Sequence, residues 1–179
     1  IAQFLVGSNR NCDIAQVDLT KKMDLKVLSP VSDLINVTYN KMHSSMYSLI
    51  DSLIQEHKTT LIFTNTRSAT ERVVHHLKEK YPKKYAENIG AHHGSLSKDH
   101  RLKLEERLRK GELRVVVSST SLELGIDIGY IDLVICLGSP KSVARLMQRC
   151  LPYDSKILLA NGAFKEIGAG GNRLDRTLP

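Results

Sequence analysis

A chain of 179 residues can enclose one core of ordinary size, and its 41% hydrophobic and 25% charged residues are the mix of a globular protein rather than a disordered one. No apolar run approaches the roughly 18–20 residues that span a bilayer, and the opening Ile1-Ala2-Gln3-Phe4 lacks the basic start and small-residue cleavage site of a signal peptide, so a cytoplasmic protein with no membrane partner is expected. The formal charge of +7 suits a polyanionic partner, although charge alone fits a basic protein that binds no nucleic acid equally well.

Residues 1–37 read as a lead-in, with β-like pieces at 24–28 and 34–37 around Ser29-Pro30, and the absence of an initiator Met suggests a start inside a longer protein. A helix is predicted over 41–56, with Met42, Met46, Leu49, Ile50 and Leu53 inward. Thr60-Leu61-Ile62-Phe63 reads as a strand. Residues 68–80 read as a helix capped by Ser68, with Ala69, Val73, Val74 and Leu77 on one face. A weaker strand is predicted over 87–92. A charged helix follows over 98–110, with Leu102, Leu104 and Leu108 as its stripe and Gly111 at its end. The continuous apolar runs at 114–117 and 133–137 suit strands buried on both faces. Residues 142–149 make one more helix, and the Gly-rich stretch 168–171 suggests a disordered tail. Strands and helices alternating at this spacing predict an α/β fold, a parallel sheet with helices on both faces. Ligands of such sheets lie beyond the carboxyl ends of the strands.

Three segments follow predicted strands there. Thr64-Asn65-Thr66-Arg67 places short polar side chains and an arginine just ahead of a helix N-terminus, which suits an anion; a helix cap beside a solvated arginine is the plainer alternative. In His92-His93-Gly94-Ser95-Leu96-Ser97 the adjacent histidines point to opposite faces of a strand, which argues against a metal; Ser95 and Ser97 suggest a turn and a helix cap, and Gly94 would permit close approach of a sugar–phosphate backbone. The third segment, residues 118–129, opens on four consecutive hydroxyl residues that can hold phosphate oxygens. It also contains Asp127 between two isoleucines, a carboxylate that needs a partner, whether a ribose hydroxyl, an arginine or local backbone. The three cysteines, Cys12, Cys136 and Cys150, are scattered, which argues against a disulfide framework and a zinc site, and no metal ligands are assigned.

Taken together, residues 60–68, 92–97 and 118–129 resemble motifs IV, IVa and V of superfamily 2 helicases, in their proper order, and Gln148-Arg149 resembles the opening of motif VI (QRxGRxG). Within that superfamily the strings TLIFTNTR, HHGSLS and SLELGIDIG are most similar to the large helicase-related (Lhr) family. The resemblance implies a RecA-like sheet, the second helicase domain, over 37–149, incomplete at its C-terminal end, with 1–36 the end of a first RecA-like domain and its linker. It implies that Thr64, Asn65, Thr66, Arg67, His93, Gly94 and Ser119 contact nucleic acid, with Ser119 standing where the family has threonine. It implies that Gly125, Asp127 and Gln148 face ATP. The partners implied are single-stranded or duplex nucleic acid, DNA in preference to RNA, and the first RecA-like domain of the same protein. ATP and Mg2+ belong to the full-length enzyme, because the 179 residues contain neither a GxxxxGK[ST] phosphate loop nor a DExH-type motif, and motif VI stops before its Gly-Arg pair. An inactive ATPase is therefore expected of this chain alone. A stand-alone nucleic-acid-binding module is the alternative. From Cys150 the sequence resembles the start of an intein: an initial Cys, an acidic–hydroxyl pair, an apolar strand and a turn. That likeness makes 150–179 an intein-like segment or a disordered tail, and Cys150 the nucleophile of an N-to-S acyl shift on the carbonyl of Arg149.

Overall fold

The computed structural model describes Gly7, residues 24–123, residues 129–150, Tyr153 and the backbone of 156–160. Of the expectations above, residues 1–23 apart from Gly7 (Cys12 among them), the 168–171 tail, Gly125 and Asp127 lie outside the described residues. The elements run β1 (Leu25–Leu28), α1 (Tyr39–Gln55), β2 (Thr60–Phe63), α2 (Arg67–Lys80), α3 (Pro82–Tyr85), β3 (Ile89–His92), α4 (Lys98–Arg109), β4 (Val115–Ser118), β5 (Leu133–Leu137), α5 (Val143–Cys150) and β6 (Lys156–Ala160). The strands form one sheet in the order β1-β6-β5-β2-β4-β3, and every neighbouring pair is parallel. The parallel α/β sheet that strand–helix alternation predicted is the fold observed.

The core follows from the two-residue period of the strands. Ile62, Val115, Val117, Leu133 and Ile135 point to one face, where Met46, Ile50 and Ile54 of α1, Val73 and Leu77 of α2 and Tyr85 of α3 cover them. Leu61, Phe63, Val116, Val134 and Cys136 point to the other, under Leu104 and Leu108 of α4 together with Leu122, Ile131 and Tyr153. Each large apolar side chain so enclosed stabilises the fold by about 1.5–3 kcal/mol. Gly90 in β3 lies directly beneath Leu104, where any Cβ would collide with the leucine, so this glycine sets how closely α4 approaches the sheet.

Polar ties close the sheet's far end. The Asp132 carboxylate accepts from the N–H groups of Lys58 (2.8 Å) and Thr59 (2.9 Å), joining the entries to β2 and β5. Between α1 and α3, burial alone would raise the pKa of Asp51. Hydrogen bonds from Lys84 and Tyr85 outweigh it and hold the carboxyl below its usual range.

Several local expectations are corrected. Thr66, not Ser68, caps α2: its hydroxyl accepts from the Ala69 N–H at 3.1 Å, and the helix starts at Arg67. Leu102 is exposed while Leu104 and Leu108 are buried, because residues two apart on a helix face nearly opposite ways and residues four apart share a face. In α1, Tyr47 and Ile54 are buried, whereas Met42, Leu49 and Leu53 are only partly covered. Residues 34–37 form no strand, since Asp33 accepts from the N–H groups of Ile35 and Asn36 and turns the chain, leaving Ile35 90% exposed. Separately, β1 and β6 pair with each other in the same sheet as the other strands.

Candidate functional site

Because all strands are parallel, their carboxyl ends emerge on one edge, with Phe63 level with Ser118 and Cys136, and His92 level with Ser118. The segments headed by Thr64, His93, Ser119 and Gly138 therefore lie side by side. Each is tied to a neighbour. Thr64 N–H donates to the Ser118 carbonyl at 2.8 Å. Asn65 Nδ2 donates to the Ser139 carbonyl at 3.0 Å, beneath Gly138, whose positive φ of 83° a side chain would strain. Arg67 crosses to the β3 segment, its guanidinium 2.5 Å from Ser95 Oγ, and Glu71 of α2 reaches His93 Nε2 at 2.6 Å. The result is a surface whose groups are positioned before any ligand arrives.

The individual residues divide by exposure. Arg67, Thr66 and Gly94 are exposed, and an added Cβ at Gly94 meets nothing within 4 Å, so the space above it is open. Thr64 is buried and its hydroxyl is occupied within the fold, 2.8 Å from Thr70 Oγ1 and 3.1 Å from the Thr66 carbonyl. Ser119 is buried beside it. Asn65 Oδ1 and His93 Nδ1 are enclosed with no hydrogen-bond partner among the described residues. Ser97 caps α4 by accepting from the His100 N–H, as its position in the sequence suggested.

The two histidines do point to opposite faces. His93 meets Glu71, while His92 meets Ser121 Oγ at 2.6 Å through Nδ1 and Glu105 Oε1 at 2.8 Å through Nε2. Burial holds the His92 pKa below its ordinary value against the pull of Glu105. A neutral ring with Nε2–H donating to Glu105 and Nδ1 accepting from Ser121 satisfies both contacts. His92 is thus a strut between β3, α4 and the segment after β4.

On α5, Gln148 is exposed and Arg149, one residue on, is fully buried. Arg149 Nε donates to Glu123 Oε1 at 2.9 Å and its guanidinium lies 5.1 Å from the centre of the Phe63 ring. Glu123 was not among the residues the sequence singled out, and Arg149 entered only as the second residue of the motif VI likeness, with no partner foreseen. The signal used for Asp127, an acidic residue inside an apolar run, applies equally to Glu123 between Leu122 and Leu124.

Cys150 ends α5 at 1% exposure. Its hydrogen bond with the Cys136 sulfur, and then burial, push its thiol well above the usual range. That is the setting of an inert core cysteine rather than an activated nucleophile, and nothing among the described residues supports the intein-like reading.

Polar segments after three strands at one end of a parallel α/β sheet, beside a helix that exposes Gln148, match the RecA-like fold of a second helicase domain. The chain belongs to the helicase conserved C-terminal domain family, which it matches over residues 41–150. Its relatives include the ATP-dependent helicase Lhr-Core of Methanocaldococcus jannaschii, 56% identical over 149 residues that make up 83% of this chain and 17% of that protein. The Lhr helicase/uracil glycosylase of Escherichia coli is 30% identical over 191 residues, 83% of this chain and 12% of that one. In three dimensions the chain is similar to the Mycobacterium smegmatis helicase Lhr bound to ssDNA and AMP-PNP, with a TM-score of 0.71 and 35% identity over 78% of this chain and 20% of that one. It thus spans less than a fifth of the curated relatives named here. Among the described residues no helix is long and apolar enough to cross a membrane.

Proposed function

We propose that the chain is the second motor domain of an ATP-dependent nucleic-acid helicase, gripping one strand, DNA in preference to RNA, and closing on a first RecA-like domain of the same protein. The observation that carries this reading is the linked set of exposed and half-buried groups along the sheet's carboxyl edge: Arg67 braced on Ser95, Thr66 at the α2 N-terminus, and the open space over Gly94. Successive phosphates would meet Arg67, the first amides of α2 and the 93–95 backbone. Asn65 and His93 lie beside these groups, but their unpartnered atoms are enclosed and would reach the strand only if the segments shift. The buried hydroxyls of Thr64 and Ser119 would hold the segments in shape unless the segments open.

For the nucleotide, the described residues offer the exposed Gln148 amide, and Gly125 and Asp127 would complete this side. Magnesium ligands are assigned to the first domain, because the 179 residues carry neither a GxxxxGK[ST] loop nor a DExH-type motif. Bound ATP would supply the energy of closure, and Gln148 would orient it across the cleft.

The direct test is binding of a labelled single-stranded oligonucleotide across a salt series, with Arg67→Ala alongside. Removal of one phosphate contact is expected to weaken binding to all sequences alike and to lower the salt slope by about one. An unchanged slope would show that Arg67 touches no phosphate.

A second reading rests on a separate observation: the match to the helicase C-terminal domain family runs to residue 150, where the motif VI likeness also breaks off. If an intein begins there, Cys150 Sγ attacks the Arg149 carbonyl, giving a thioester and a free α-amine on Cys150. The buried thiol counts against this, and mass spectrometry of a precursor that includes the downstream sequence decides it. Cys150→Ala is expected to abolish the spliced product, and splicing that survives the substitution rejects the reading.

A further inference from the structure

Glu123 and Arg149 belong neither to the strand-end surface nor to the apolar core. Glu123 lies four residues past Ser119, in the segment after β4, and Arg149 directly follows Gln148 on α5. Arg149 is 0% exposed and Glu123 8%. Both Nε and Nη2 of the arginine close on one carboxylate oxygen, at 2.9 and 2.8 Å, while Arg145 stands 3.9 Å from the other. Neither Nη1 nor Nη2 makes a hydrogen bond among the described residues, so Nε carries the hydrogen bond to Glu123 and Nη2 adds an ion-pair contact.

Withdrawing two charges from water is expensive, and apolar residues of similar volume commonly fill such a space with no loss of stability. Stability therefore does not explain why charges stand here. What they add is direction. A guanidinium that donates to a carboxylate through Nε and lies over the Phe63 ring at 5.1 Å is held at two points rather than one. The pair pins the segment that leaves Ser119 to the helix that carries Gln148.

We propose that Glu123 and Arg149 form a positioning pair that makes the segment after β4, which braces the strand-gripping surface through Ser121 and His92, and the nucleotide-facing helix α5 move as one body, so that occupancy on one side is felt on the other. This rests on the motor-domain reading above. Neither residue touches ligand; each acts through its neighbours.

The experiment uses the full-length protein that contains this chain, wild type and Glu123→Leu/Arg149→Met, and measures the affinity for single-stranded DNA with and without a non-hydrolysable ATP analogue. In the wild type the two affinities are expected to differ by a factor of about 5–150, the usual span of coupling between sites. The double variant is expected to melt at or above the wild-type temperature, to bind DNA without the analogue within about threefold of wild type, and to lose the difference. A folded double variant that keeps the wild-type ratio overturns the proposal. Arg149→Lys, which keeps the charge but not the planar two-nitrogen contact, is the second variant, and its ratio is expected to fall as well. If neither variant folds, the charges serve the fold itself and the proposal fails. A wild type with no difference between the two affinities speaks instead against the motor-domain reading.

Discussion

Arg149→Ala is expected to be among the most destabilising single substitutions in this chain, at about 3–5 kcal/mol, because it strands the Glu123 carboxylate in the interior. Glu123 accepts its closest contacts from Arg149, and the nearest other cation, Arg145, is 3.9 Å away and 41% exposed. The truncation also uncovers one face of Phe63, which the guanidinium shields at 5.1 Å. A domain of this size has about 5–15 kcal/mol of stability in total, so the variant should be marginal at 25 °C. Urea denaturation of both proteins checks this, with the shift expected in the midpoint and not in the slope. Lys110→Ala, which breaks an exposed pair with Glu106 on the last turn of α4, is the control and should leave the midpoint in place. Comparable midpoints for the two variants would mean that Glu123 is well hydrated and the buried pair has been misread.

The extent to which the fold could be read in advance depended on how local its causes are. β2 and β5 appear over the residues marked in advance, since a strand covered on both faces writes its position into a near-continuous run of apolar residues. α3 went unread because four residues, Pro82–Tyr85, leave no periodicity, and its anchor is a tertiary one: Tyr85 donating to Asp51, 34 residues away. The inward face of α1 was read one position out of phase. Tyr47 and Asp51 are buried there beside Met46 and Ile50, and neither tyrosine nor aspartate declares burial in a sequence. The pairing of β1 with β6 joins residues more than a hundred positions apart, and no local pattern encodes such a contact.

For the site, the strand-end rule located the right edge of the sheet but not which way the side chains turn. Thr64 and Arg67 stand three residues apart in one motif, yet the first is sealed against Thr70 and Ser118 and the second reaches into solvent toward Ser95. That difference is set by the strand's pleat at Phe63 and the start of α2 at Arg67. The ties that hold the surface, Glu71 to His93 and Glu105 to His92, come from helix positions that by themselves read as ordinary solvent-facing acids.

ATP hydrolysis by these 179 residues alone is expected to be at background. Phosphoryl transfer needs a phosphate-cradling loop, a metal and an arginine on the departing charge, and loss of that arginine alone typically costs about 10³–10⁵ in rate. The chain contains no GxxxxGK[ST] string, and Arg149 is the single arginine of the motif VI likeness. Arg149 cannot serve as the finger, because it is fully enclosed, paired with Glu123 and turned away from the surface on which its neighbour Gln148 stands. A group that must reach a phosphoryl oxygen across a domain cleft cannot also be the buried partner of a carboxylate. Phosphate release by the purified chain, with saturating single-stranded DNA, should therefore match buffer, while a protein that also carries a first RecA-like domain and an uninterrupted motif VI should hydrolyse ATP in a DNA-stimulated manner. Release above buffer that disappears in Gln148→Ala would place a complete catalytic centre inside this chain, and the division of labour between two domains would have to be abandoned.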